Sequence, residues 1–403
     1  MKNNWKKEKL GDITEIVSGG TPSSINNSYW ENGDIFWATL PDLKNKYLYS
    51  TERKITKIGL SKSSAKLLPI NTVIFSSRAT IGEVSITKII TSTNQGSKNF
   101  ICNLKIIKPE FLYYWLKNNS KMIEQLSGGA TYKEINKTDL SNIKIKLPEI
   151  EIQQKIASIL SAYDDLIEVN NKRIKVLEEM ARRIYKEWFV NFKFPGYEKA
   201  KFKNDLPEDW EEKEIINVDY FKFCKSKIKK FEGEKEYFAT ANINGNNITK
   251  EGDMVTFENK PSRAQIQPKT NTVWFARMKD SFKVIAYKKA NMKLIDKHIL
   301  SSGMIGFEAD ENFYGFLYFT ICSNWFHDLK DQYATGATQV SLTNEGLFKM
   351  RILVPDKKIA NKYSVITNTF IDQILILQQI NNKLQKSRDL LLPKLMSGEI
   401  EIK

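Results

Sequence analysis

Cysteine, histidine and paired proline are scarce in this chain, and each scarcity removes a class of chemistry. The 403 residues include three cysteines, Cys102, Cys224 and Cys322, far apart and without a Cys-x-x-Cys pair. That suits a reducing cytoplasm and no disulfide framework. His298 and His327 are the only histidines, so a structural metal site has no ligand set and hydrolase triads are not expected. All eleven prolines are isolated. The Asp/Asn-Pro-Pro-aromatic turn that an amine methyltransferase uses to accept from its target amine is therefore absent. No glycine precedes a lysine, which excludes a P-loop, and no Gly-x-Gly-x-x-Gly follows a strand. "PDLKNK" and "PEDWEEK" loosely match a nuclease run, but Lys-rich sequences produce such matches by chance, and Trp210 reads better as the start of a domain. No catalytic residue is assigned. No apolar run approaches membrane-spanning length, and "MKNNWKKEKLGD" lacks the apolar core of a secretory signal.

Positive charge is plentiful. Sixty-two Lys and Arg against 47 Asp and Glu leave +15, with a pI near 9.3. That balance favours a polyanionic partner, usually nucleic acid, although an AT-rich genome would raise lysine without any such function. The length suggests two to three domains, and 41% hydrophobic residues suffice for their cores.

The chain also repeats itself. "SGGATYKEINKTDLSNIKIKLPEI" and "ATGATQVSLTNEGLFKMRILVPDK" align at an offset of 207, matching Gly129 with Gly336, Leu140 with Leu347, Ile145 with Ile352 and Pro148 with Pro355. Each carries a Gly-Ala-Thr hinge, then alternating apolar residues, then proline. Trp5 and Trp210 open similar basic-acidic runs. "NTVIFSSRATIGEVSITK" is echoed by "NTVWFARMKDSFKVIAYKK", both reading as short strands. A short aromatic helix is predicted in each half, at "PEFLYYWLKNN" and "ENFYGFLYFTICSNWF". The scaffold repeats while the loops differ.

After each proline the period changes to helical. From Tyr163, steps of four and three lead to Ile167, Asn170, Ile174, Leu177, Ala181, Ile184 and Trp188, a heptad seam with Asn170 as its polar member. Phe370, Leu377, Leu384 and Leu391 stand 207 residues after Tyr163, Asn170, Leu177 and Ile184, and Asp372 stands 207 after Asp165. No proline or glycine interrupts residues 149–194. Forty such residues form a rod of roughly 60 Å. Two narrow seams are most economically buried against each other. The expected organisation is α+β: β-rich domains at 1–148 and 210–355, long helices at 149–194 and 356–403, and a linker at 195–209.

Taken together, these segments resemble the specificity subunit of Type I restriction-modification enzymes. "GGTPSSINNSYWENGDIFWATLPDL" is similar to that family's opening of a target-recognition domain, and "FSSRATIGEVSI" and "TNQGSKNFI" to its following strand-and-loop segments. "LPEIEIQQKIASILSAYDDLIEVNNKRI" is similar to its central conserved region and "LLLPKLMSGEIEI" to its ending. The second domain lacks the Gly-Gly-Thr-Pro opening. The resemblance implies that each domain reads one half of a bipartite DNA sequence. It also implies that the helices pair antiparallel as a spacer, and that the pseudo-twofold repeat presents the domains to two modification subunits. Half-sites one to two turns apart, at about 34 Å per turn, are compatible with such a rod.

Under that resemblance, double-stranded DNA is the ligand, and loops beside strands are the candidate readers. In the first domain these are Lys62, Ser63, Ser64 and Lys66, then Arg78 and Thr80, then Gln95 and Lys98. In the second they are Lys260, Arg263, Gln265 and Lys269, with Arg277 and Lys279. Gln can bond adenine bidentately, and Arg or Lys guanine. The helix faces around Arg173, Glu178, Glu179, Arg182 and Arg183 are candidates for docking partners. No cofactor is expected in this chain: S-adenosylmethionine, ATP and Mg would belong to modification and restriction subunits. A self-contained methyltransferase would instead bind S-adenosylmethionine alone. A stand-alone structural or regulatory coiled-coil protein would bind DNA without partners.

Overall fold

The computed structural model describes residues 5–128, 133–225 and 227–402. The first Gly-Ala-Thr hinge, at Gly129, lies outside the described residues. The chain forms two compact units, one of residues 1–167 with 383–403 and one of residues 168–382. It is α+β, with many short strands and two long helices.

In the first unit, strand Lys6–Lys9 pairs antiparallel with Lys144–Leu147 and ties the beginning of the domain to its exit before Pro148. A five-stranded sheet follows the order Thr14–Ser18, Ser97–Cys102, Val73–Ser76, Val84–Thr87, Tyr47–Leu48. Val73–Ser76 and Val84–Thr87 are buried on both faces, and the first reads as a Val-Ile-Phe run rather than an alternation. Helix Pro109–Asn118 packs over them and buries Phe111, Leu112, Tyr113, Tyr114, Trp115 and Leu116, with its proline in the first turn, where no N–H is needed. A smaller sheet orders Arg53–Ile55, Ile35–Ala38 and Thr91–Thr93, the last pair parallel.

The second unit is built around two four-stranded sheets. Glu211–Glu214 pairs antiparallel with Arg351–Val354. One sheet runs Phe221–Phe223, Met304–Ala309, Thr272–Ala276, Val284–Tyr287. The other runs Asp253–Val255, Lys235–Phe238, His298–Ser301, Ala264–Ile266, again with one parallel pairing. Asn71 and Asn271, which open the two Asn-Thr-Val strands, both have positive φ, 68° and 58°. Asparagine tolerates this left-handed turn, which accounts for its presence in both halves. The aromatic segment forms two helices, Glu311–Ile321 and Asn324–Gln332, rather than the single one expected.

The first long helix spans Ile150–Tyr185 and then widens to a π turn at Lys186–Val190, short of the expected end at 194. The wider turn accompanies the burial of Phe189 among Trp210, Phe316 and Tyr363. The second helix spans Lys357–Ser397, with Pro393 in its last turns. Within the first unit, Ile156 and Leu160 share a core with Leu395 and Met396. Arg388 is ion-paired to Asp164, and Tyr114 donates to the other oxygen of Asp164 at 2.6 Å. Burial and that carboxylate keep the Tyr114 hydroxyl protonated far above the ordinary tyrosine range. Within the second unit, Ile174 and Leu177 cluster with Ile374 and Leu377, and the Tyr363 hydroxyl donates to the Ala181 carbonyl at 3.0 Å. Asn170 donates to Asn381 at 2.8 Å, and Asn381 donates to Asn171 at 2.9 Å. Among the described residues no helix is long and apolar enough to cross a membrane.

Candidate nucleic-acid interface

In the first unit, a Gly-Gly step gathers three loops. Gly19 donates to the Ser97 carbonyl at 3.1 Å and Gly20 to that of Thr93 at 2.9 Å. A Cβ on Gly19 would overlap the Asn94 carbonyl oxygen, and one on Gly20 would overlap the backbone of Ser64 and Ala65. Glycine is required because the backbone threads between two others. The next residue, Thr21, donates its hydroxyl proton to Gln95 Oε1. Residues 19–21, 63–66 and 94–96 therefore form one continuous surface. Lys62, Ser64, Lys66 and Gln95 are exposed on it, and Ser63 is half-buried, with its hydroxyl bonded to the Leu60 carbonyl.

The Arg78 loop adjoins the same surface through Gly96, whose carbonyl accepts from both the amide and the hydroxyl of Ser77. Arg78 and Thr80 are exposed. Arg78 faces Glu134 across an isolated bridge, Nε to carboxylate at 3.8 Å. Lys98 differs from its neighbours. It is 6% exposed, and its ammonium is engaged by Ser77 and Glu134, each at 3.4 Å. It sits beneath the loops and neutralises the Glu134 carboxylate that Arg78 also faces.

In the second unit, two predicted loops meet at the turn Ser302–Gly303. The Arg263 carbonyl accepts from Ser302 at 2.8 Å, and the Arg277 amide donates to the Gly303 carbonyl at 2.9 Å. Arg263 and Lys269 are exposed, and the Lys260 ammonium lies 5.5 Å from the Phe257 ring centroid. Gln265 is half-buried and donates to its own loop, at the Ser262 carbonyl. The Arg277 guanidinium is bound to the Leu342 carbonyl and to Asn344, at 3.1 and 2.9 Å. Lys279 is exposed, and its amide bonds Val340. This Met278–Ser341 bridge is the counterpart of Arg78–Glu134.

Sequence reasoning passed over Arg53. Its guanidinium lies 3.8 Å from the Trp30 ring centroid and 5.3 Å from that of Trp37, beside the Gly20 loop. The only signal in the sequence is an arginine on a short strand in a tryptophan-bearing segment.

An α+β domain whose strands carry basic and amide loops on a common surface is suited to nucleic acid rather than to a small molecule. Known proteins agree. Residues 2–179 match the family described as the Type I restriction modification DNA specificity domain. The chain is 29% identical to the Type I restriction enzyme MjaIX specificity subunit of Methanocaldococcus jannaschii, over 100% of this chain and 95% of that protein. It is 23% identical to the HindI specificity subunit of Haemophilus influenzae, over 99% and 100%. The crystal structure of a Type I restriction-modification S subunit from M. genitalium shares the fold, with a TM-score of 0.57 and 17% identity over 98% of this chain and 96% of that one. Over nearly its whole length the chain is thus similar to specificity subunits of Type I restriction-modification systems, and residues 2–179 match the DNA specificity domain family.

Proposed function

We propose that this chain is the DNA sequence-specificity subunit of a Type I restriction-modification system, each unit reading one half of a bipartite target. The observation that carries this reading is that each unit sets a sheet built around an Asn-Thr-Val strand beside a second sheet with one parallel pair, beneath different loops. A common scaffold gives two readers the same geometry, while divergent loops give them different sequences. The long helices act as an antiparallel spacer in a pseudo-twofold arrangement. Supporting contacts are Asp164–Arg388 within the first unit and Asn170–Asn381 within the second. The net charge of +15 supplies the phosphate attraction on which non-specific affinity depends. The domains are residues 1–148 and 210–355.

The chain itself catalyses nothing in this reading. Two modification subunits bind S-adenosylmethionine and flip the target adenine out of the stack, because a stacked base cannot reach a methyl donor. Restriction subunits use ATP and Mg. The complex works in the cytoplasm. Partner subunits dock on the helices, where Ile159 and Leu166 in the first unit and Val169, Val176 and Met180 in the second are exposed at heptad-like steps. Arg173 and Glu178 are already committed within the second unit, to Gln373 and Asn246, while the Glu179–Arg183 pair is exposed.

The test is co-expression with the cognate modification subunit, followed by single-molecule sequencing of host DNA. A methylated bipartite motif with a fixed gap, lost when this chain is deleted, is the expected result. Exchanging residues 1–148 for those of a relative should alter one half-site only. Soluble, associated proteins that leave no methylated motif would favour a stand-alone structural or regulatory DNA-binding protein.

A further inference from the structure

We propose that Arg53 is a base-reading residue of the first recognition domain, contacting the major-groove edge of a guanine in its half-site. The proposal rests on the DNA-recognition reading above and names the residue that gives it sequence selectivity.

Arg53 and Trp37 are directly opposite on paired strands, so their side chains leave the sheet on the same face. Trp30 covers that face, edge-on to Trp37 with centroids 5.0 Å apart. The guanidinium rests on Trp30 at 3.8 Å. Each tryptophan is itself anchored, Trp37 Nε1 donating to the Gly20 carbonyl and Trp30 Nε1 to that of Ser23, both at 2.9 Å. The strand is fixed too: the Thr51 hydroxyl donates to the Arg53 carbonyl at 2.6 Å and accepts from the Trp37 amide at 3.2 Å. The side chain is exposed, and among the described residues no hydrogen bond or ion pair takes its guanidinium.

This is an unusual state for an arginine in this domain. Residues 1–148 contain only one other, Arg78, and that one faces Glu134. Stacking holds a planar guanidinium by its face and leaves the N–H edge unspent. That edge matches the O6 and N7 acceptors of guanine, and a held side chain loses little freedom on binding. Its location is also apt, since Trp37 shares a cluster with Ala65 and lies under the Gly20 loop, beside the surface that bears Ser64 and Gln95.

The second unit gives the contrast that a reader requires. Phe238-Ala239-Thr240 takes the place of Trp37-Ala38-Thr39, on a strand that likewise has one parallel neighbour. The residue against Phe238 is Gly252, where a Cβ would stand 3.1 Å from the ring. No side chain can read from that point. The common scaffold therefore differs at this position, as it must if the two half-sites differ.

The full chain, in complex with its modification subunits, would be offered a pool of randomised duplex DNA, and the retained sequences read. The wild type should select two half-sites. Arg53→Ala should weaken binding to the selected sequence about ten- to hundredfold and erase one G·C preference in one half-site, leaving the other half-site intact. Arg53→Lys keeps the charge and the stacked stem but loses the fork. It should bind random DNA as the wild type does while also losing the guanine preference, which separates base reading from misfolding. An unchanged motif in both variants would overturn the assignment while leaving the domain a DNA reader. Equal weakening on every sequence would make Arg53 a phosphate contact and overturn it as well. A wild type that selects no sequence would sink the recognition reading together with this one.

Discussion

His298 and His327 both lie in the second unit, and burial keeps both neutral. Burial, with Lys297 adding to it, pushes His298 from 6.5 to about 4. Burial and then Lys330 do the same to His327. His298 Nδ1 is hydrogen-bonded to the Tyr287 hydroxyl at 2.9 Å, and its Nε2 stands 4.0 Å from Glu236, a distant partner that does not offset the burial. The unfolded chain takes up these protons as pH falls below 6.5, whereas the folded unit resists them until about pH 4. Their contribution to stability is thus complete above pH 6.5, declines through that window, and is exhausted below it, at most about 3 kcal/mol for each. Urea unfolding at pH 7, 5.5 and 4.5 should show this decline, and His327→Leu should flatten it. An equally steep decline in the variant would assign the effect to other groups. Residue-scale function is harder to read from sequence than this titration is. Lys98 and Gln95 stand three apart in one polar stretch of sequence, yet one side chain, on a strand, is turned inward to Glu134 and the other, in the turn before it, faces solvent. Trp30 and Arg53 are 23 residues apart, and only the strand pairing of Trp37 with Arg53 brings them together.

The Asn170–Asn381 pair acts at the scale of a helix. Asn170 is 7% exposed and sits within an apolar seam, where a polar pair costs stability but penalises every register that separates it. Replacing both asparagines with leucine should raise the melting temperature of the second unit and broaden its helix resonances, as alternative registers become accessible. A higher melting temperature with a single sharp set of resonances would mean that the aromatic cluster around Phe189 sets the register instead. Such elements were partly visible in one dimension. The Asn-Thr-Val strands were legible because an apolar run follows a residue suited to positive φ. The heptad seam was legible through Asn170, Ile174, Leu177 and Ala181, all of which are buried. The π turn at Lys186–Val190 was not, since no proline or glycine marks it and its cause is packing against Trp210, Phe316 and Tyr363, distant in sequence.

At the scale of the whole molecule, the first unit is built from two separated stretches of chain. Leu395 and Met396 complete its core, and Arg388 balances Asp164. Truncation after Asn382 should therefore damage a domain that is otherwise intact in sequence. Each buried side chain lost removes roughly 1.5–3 kcal/mol, and the abandoned Asp164 adds to the loss. Hydrogen exchange at Val73–Ser76 should accelerate markedly in the truncated protein, and a peptide of residues 383–403 added in trans should slow it again. Unchanged protection would mean that this segment is not needed. The same discontinuity has a consequence for synthesis. The second unit is continuous and can close as soon as its residues leave the ribosome, but the first must wait, with Ile156 and Leu160 uncovered, until residues 383–402 are made. At about 5–20 residues per second that interval lasts on the order of ten seconds or more, so the domain that begins first is finished last.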